Sequence, residues 1–116
     1  MDINYDDRIF RVRDNAATGE VGDGTRFHYH QNGSRLTGTY EGGSIRRGHL
    51  LGQVLPDGRL KFVYHHENTD GELKAGRCES VPSRTEDGRL MLTERWEWLT
   101  DDRSSGTSVI VEVENP

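Results

Sequence analysis

Residues 26–43 read Arg26-Phe27-His28-Tyr29-His30-Gln31-Asn32-Gly33-Ser34-Arg35-Leu36-Thr37-Gly38-Thr39-Tyr40-Glu41-Gly42-Gly43. Ring-bearing and aliphatic residues alternate with polar ones, and each run stops at a dipeptide that accepts positive φ. Asn-Gly and Gly-Gly supply that backbone for tight hairpin turns. Outward from this stretch the same punctuation recurs at Pro56-Asp57-Gly58, Asp70-Gly71 and Asp87-Gly88, with looser breaks around residues 14–24 and 99–106. Seven breaks separate eight segments of strand length. That pattern predicts an all-β antiparallel meander.

Composition agrees. The chain has 116 residues, so a single domain spanning 1–116 is expected. Hydrophobic residues are only 31% and charged residues 30%, which excludes a large oily core. A barrel with one polar face per strand suits this balance. The net charge of −5 carries no basic stripe with interleaved aromatics, so nucleic acid is not an expected partner. Cys78 is the single cysteine, so no intramolecular disulfide forms. The acidic start, Met1-Asp2-Ile3-Asn4-Tyr5-Asp6-Asp7, has no apolar run. Neither a secretory signal nor a membrane span is expected, and the expected location is cytoplasmic.

Reading each tight turn as a two-residue loop assigns cross-strand partners. Tyr29 then faces Leu36, Tyr40 faces Ile45, and His49 faces His66. Tyr64 faces Arg77, Glu79 faces Trp96, and Arg77 faces Trp98. Opposed residues share a face, so one face collects Phe27, Tyr29, Tyr40, Phe62, Tyr64, Trp96 and Trp98, together with Leu36, Ile45, Leu51, Leu55, Leu60, Val81, Leu90 and Leu92. Ile9-Phe10-Arg11-Val12-Arg13 supplies a first strand with Phe10 and Val12 inward. Thr107 to Glu114, with Val109, Val111 and Val113 alternating, supplies a last one. Pairing first with last closes an eight-stranded up-and-down, calycin-like barrel and removes exposed edges.

The two ends of such a barrel differ. Leu55, Leu60, Phe62, Val81, Leu90 and Leu92 form an apolar plug at one. Tyr40, Arg47, His49, His66, Arg77 and Trp98 gather at the other, beside the long loops, as a ligand mouth would. There Arg77 suits a ligand anion, and His49 or His66 suits hydrogen bonding or proton transfer. A satisfied polar interior explains the same residues, and Arg77 stacked on Trp96 or Trp98 is a structural alternative. Glu79 and Glu94 face inward on adjacent strands; paired carboxylates suit acid–base work, but a structural role is favoured. His28 and His30 share an outward face at a spacing that can chelate a metal. No third ligand can be placed, since His65 and Cys78 lie strands away, so no metal and no cofactor are expected. Cys78 is outward, with Leu50, Val63 and Met91 forming an apolar strip suited to a homo-oligomer contact.

Certain of these residues are familiar as a set. Phe27-His28-Tyr29-His30-Gln31, Tyr40 with Gly42-Gly43, His66-x-Asn68-Thr69-x-Gly71, Gly76-x-Cys78-x-Ser80 and Trp96-x-Trp98 resemble a small uncharacterised bacterial family often named N-acetylglutamate synthase. The usual acetyltransferase needs an α/β fold and a pyrophosphate-binding loop that opens a helix. Neither is legible in this chain, so that activity is not expected. Leu36-Thr37-Gly38-Thr39-Tyr40-Glu41 and Trp98-Leu99-Thr100 resemble the third strand and the end of the seventh strand of the avidin and streptavidin barrel. That resemblance implies an avidin-like barrel with Tyr40 and Trp98 lining a ligand pocket. The lid loop is here only Gly42-Gly43, and the last strand lacks the aspartate that meets a biotin ureido nitrogen. Biotin is therefore not the expected ligand.

The combined expectation is a barrel that binds a small anionic or aromatic ligand through Tyr40, His49, Tyr64, His66, Arg77, Trp96 and Trp98. The alternatives are an enzyme using a His/Arg/Tyr pocket at the same mouth and a structural oligomerisation module with a filled core.

Overall fold

Eight strands follow in chain order and close on themselves in a computed structural model that describes residues 3–15, 21–22, 24–100 and 103–113. They are β1 (Arg8–Asn15), β2 (Arg26–Asn32), β3 (Arg35–Gly42), β4 (Ile45–Val54), β5 (Leu60–Asn68), β6 (Leu73–Arg84), β7 (Leu90–Trp98) and β8 (Ser105–Glu112). Each pairs antiparallel with its sequence neighbours, and β1 pairs with β8, giving a closed barrel. Closure leaves no unpaired edge, the main liability of an antiparallel sheet. The described residues contain no helix. Parts of the two long connections, residues 16–20, 23, 101 and 102, and the end of the expected last strand at Glu114 lie outside the described residues.

The turns differ from the two-residue reading, and the difference moves residues between faces. Three connections are five-residue loops, closed by Leu55 N–H to Arg59 O (2.8 Å), Asn68 N–H to Glu72 O (3.0 Å) and Thr85 N–H to Arg89 O (2.9 Å). In each, a tight turn is followed by a glycine at positive φ: Gly58 at 89°, Gly71 at 80° and Gly88 at 87°. This is a type I turn closed by a glycine bulge, one of the common hairpin solutions. Each loop displaces the expected pairing by one residue. Between β3 and β4 the displacement is three residues, also odd: Gly42 pairs with Ile45, and a bulge near Arg46 then sets Tyr40 opposite Gly48 instead of Ile45.

A one-residue displacement exchanges the two faces of a strand. The displacements on either side of β4 cancel for β5, and those on either side of β6 cancel for β7. Only β4 and β6 are turned. Leu50, Cys78 and Ser80 therefore face the interior. His49, Arg77 and Glu79 lie exposed on the outer wall, as do Arg47, Leu51 and Val81. Leu55 falls within a turn. In β8, Ser108 and Ile110 are buried opposite Glu94 and Leu92; of the alternating valines Val111 is buried and Val109 and Val113 are half-buried.

The aromatics do converge inside. Phe10, Phe27, Tyr29, Tyr40, Phe62, Trp96 and Trp98 are buried, and Tyr64 packs half-buried against them. One end is sealed by Leu36, Leu60, Leu90 and Leu92 with Ile3 and Tyr5 from the segment before β1. The Tyr5 hydroxyl donates to the Gly58 carbonyl at 2.6 Å, fixing that segment to the β4–β5 turn. Fully burying side chains of this size stabilises a fold by roughly 1.5–3 kcal/mol each.

Candidate functional site

A cavity opens above the apolar plug. Its volume is about 50 Å³, several times the roughly 10–15 Å³ that one water needs. Its walls are aromatic because β2, β3, β5 and β7 each bring a ring inward at period two: Phe27, Tyr40, Phe62, Tyr64, Trp96 and Trp98.

The rings are positioned by their cross-strand neighbours. Tyr40 pairs with Gly48, Phe62 with Gly52, and Tyr64 with Gly76. A Cβ at position 48 would meet the Tyr40 ring at 2.5 Å, so that ring lies where only a glycine leaves room. The same holds for Tyr64 over Gly76. The missing side chain on one strand is thus the seat of the ring on the next.

His66 stands at the centre of the mouth-side rings. Its Nδ1 shares a 2.8 Å hydrogen bond with the Tyr40 hydroxyl. Its ring meets Tyr40 and Trp98 edge-on, with centroids 5.6 and 5.7 Å away. Trp98 also contacts Tyr64 at 5.6 Å and Trp96 at 5.9 Å, and the Lys74 ammonium lies 5.8 Å from the Trp98 ring centre. Such edge contacts and cation–π contacts hold ring orientation as well as area.

The polar group of the floor is Glu94, fully buried on β7. Ser108 Oγ donates to its Oε1 at 3.2 Å and Ser80 Oγ to its Oε2 at 3.3 Å, with Cys78 Sγ 3.8 Å from the same Oε2. These are long for hydroxyl donors, whose bonds usually fall near 2.7–2.8 Å. Burial therefore dominates and pushes the Glu94 carboxyl up from 4.5 to about 7, while the Ser108, Ser80 and Cys78 contacts pull weakly the other way. Burial, reinforced by Glu94, pushes the Cys78 thiol well above its ordinary range, which leaves it unsuited to nucleophilic work. Burial likewise raises the Tyr64 phenol.

Asn15 completes the lining from β1. Its Nδ2 donates to the Val21 carbonyl at 2.7 Å, and its Oδ1 is buried without a donor among the described residues. Beneath, the Tyr29 hydroxyl is also buried without a partner among the described residues.

Of the residues expected at the mouth, Tyr40, Tyr64, His66, Trp96 and Trp98 line this cavity, and His49 and Arg77 do not. His49 stacks on His65 on the outer wall, centroids 5.7 Å apart. Arg77 is exposed there and pairs with Glu97, Nη2 to Oε2 3.2 Å. Both belong to the two turned strands. The expected Glu79–Glu94 pair is likewise divided by the wall. In their place the cavity takes Leu50 and Cys78, with Asn15 and Ser108 from the first and last strands.

No curated protein and no solved structure shows a significant match to the chain. The family described as avidin-like protein matches residues 3–113, which takes in all eight strands. With that match and a closed antiparallel barrel holding an aromatic cavity, the chain belongs to the avidin-like family.

Proposed function

We propose that this barrel binds a small ligand with a flat apolar or aromatic body and one or more N–H donors, entering at the Tyr40–Trp98 mouth. One observation carries the reading: an aromatic-walled cavity whose lining has acceptors in surplus. The buried Asn15 Oδ1 has no donor among the described residues, and Glu94, once ionised above about pH 7, is held only by long hydrogen bonds. Buried acceptors cost free energy until a donor meets them, and a ligand amide, urea or amine meets that need. An anionic ligand fits less well, because the described lining holds no lysine or arginine and Arg77 lies on the outer wall. The rings supply apolar area and fix the plane of the ligand body.

The test is native mass spectrometry of the protein as isolated, followed by titration calorimetry. The panel pairs aromatic amides, ureas and amines with matched carboxylates, including N-acetylglutamate and biotin. The expected result is binding by the N–H donors that falls at least about tenfold, near 1.4 kcal/mol, in Trp98→Ala. His49→Ala and Arg77→Ala should leave it unchanged. Binding confined to carboxylates and lost in Arg77→Ala would overturn the reading.

A further inference from the structure

A second cluster of ligating groups stands on the outer wall, on the far side of β2 from the cavity. His28 and His30 occupy alternate positions of β2, and their rings lie 4.4 Å apart between centroids. The segment before β1 brings in a carboxylate: Asp7 Oδ1 lies 2.7 Å from His28 Nε2. One ligand atom from each of Asp7, His28 and His30 falls within 4.8 Å of the other two. The third ligand absent from the sequence pattern is thus supplied by strand pairing, since Arg8 pairs with Tyr29 and sets Asp7 beside the two histidines.

The arrangement is held before any ion arrives. Both histidines are fixed by a paired strand. The Asp7 N–H donates to the Tyr29 carbonyl at 2.9 Å, and Asp7 sits at φ 59°, a left-handed conformation that non-glycine residues seldom adopt. Asp6 stands behind. Its Oδ1 accepts the Gln31 N–H at 2.9 Å and lies 3.7 Å from His30 Nδ1. A carboxylate beside a ligating imidazole is the usual outer partner that fixes ring orientation and raises basicity.

We propose that Asp7, His28 and His30 form a surface site for one divalent transition-metal ion of the zinc class, with water completing the coordination. Two imidazoles and a carboxylate match the donor preference of that class, and donors about 2.0–2.2 Å from a shared ion need only small side-chain rotations here. The consequence is mechanical as well as chemical. The segment carrying Asp7 also carries Ile3 and Tyr5 into the sealed end of the barrel. An ion shared between Asp7 and β2 would staple that segment to the wall.

The test uses protein without an affinity tag, titrated with zinc chloride in a non-chelating buffer. One equivalent should bind. Affinity should fall in His30→Ala and in Asp7→Asn by more than the roughly 10–100-fold typical of losing an outer partner. The stacked outer pair is the internal control, and His49→Ala with His65→Ala should leave affinity unchanged. Zinc should also slow amide exchange in residues 3–8 of the unaltered protein, a readout that requires no variant to fold. Absence of binding, binding that survives the joint loss of His28 and His30, or unchanged exchange in residues 3–8 would each overturn the proposal.

Discussion

Glu94 is a carboxyl whose donors are too distant to offset its burial, and this gives the protein a definite dependence on pH. The folded chain keeps the Glu94 proton up to about pH 7, whereas an unfolded chain releases it near 4.5. Between those values the folded state binds more protons, so stability falls as pH rises. The contribution is fully present below about 4.5, is lost through about 7, and changes no further above. A displacement of this size corresponds to about 3–4 kcal/mol at most, at about 1.4 kcal/mol per pH unit. Glu94→Gln keeps shape and hydrogen bonding without the charge. Urea unfolding across pH 5–8 should show a flatter profile for this variant and a higher stability than the parent at pH 8. An unchanged slope would mean that Glu94 is already ionised in the folded state.

At the scale of strands, the paired glycines organise the interior. Tyr29 faces Gly38, Tyr40 faces Gly48, Phe62 faces Gly52, Tyr64 faces Gly76 and Trp96 faces Gly106. Gly48→Ala should drive the Tyr40 ring away from β4 and break its hydrogen bond to His66. A cost of about 1–3 kcal/mol is expected for such overpacking, with a changed His66 ring signal in NMR. Gly22→Ala, with nothing within 4 Å of the new methyl, is the neutral comparison. The same pairs explain how far the sequence could be read. The inward rings lie on β1, β2, β3, β5 and β7, and the two turned strands, β4 and β6, carry no Phe, Tyr or Trp. Sorting aromatics onto one face therefore located the barrel and the six aromatic residues of the cavity wall, yet it was blind on β4 and β6, where it placed His49 and Arg77 inside. Asp-Gly serves both a two-residue hairpin and a type I turn with a glycine bulge, so the turn residues alone leave the face of the next strand open. Gly48 and Gly76, taken as seats for Tyr40 and Tyr64, are the signal that would have settled it. Asn15 and Ser108 carried no such mark, because long connections separate β1 from β2 and β7 from β8.

For the whole molecule the two ends divide the work. The sealed end depends on a residue outside the barrel strands, Tyr5, which is fully buried and bonded to the β4–β5 turn. Tyr5→Ala should cost about 3–5 kcal/mol, the range for deleting a large buried ring. Tyr5→Phe should cost about 1 kcal/mol, because it leaves the Gly58 carbonyl without its donor. Chemical denaturation of the three proteins measures both. Equal losses in the two variants would show that the hydrogen bond, and not the ring, secures the segment.

The five-residue loops behave like a parity code. Removing one residue from the loop at 55–59 exchanges inside for outside in β5, β6 and β7, up to the long connection that precedes β8. A length change in such a loop is silent only in steps of two, unless a second odd change downstream restores the remainder and confines the inversion to the strands between. The connections between residues 15 and 26 and between residues 98 and 105 are longer and escape this arithmetic. Asn15 and Val21 on the first and Trp98 at the start of the second line the aromatic cavity. A change in chain length is thereby easier to absorb in these two connections than in the short turns, which the barrel's need to close holds to fixed lengths.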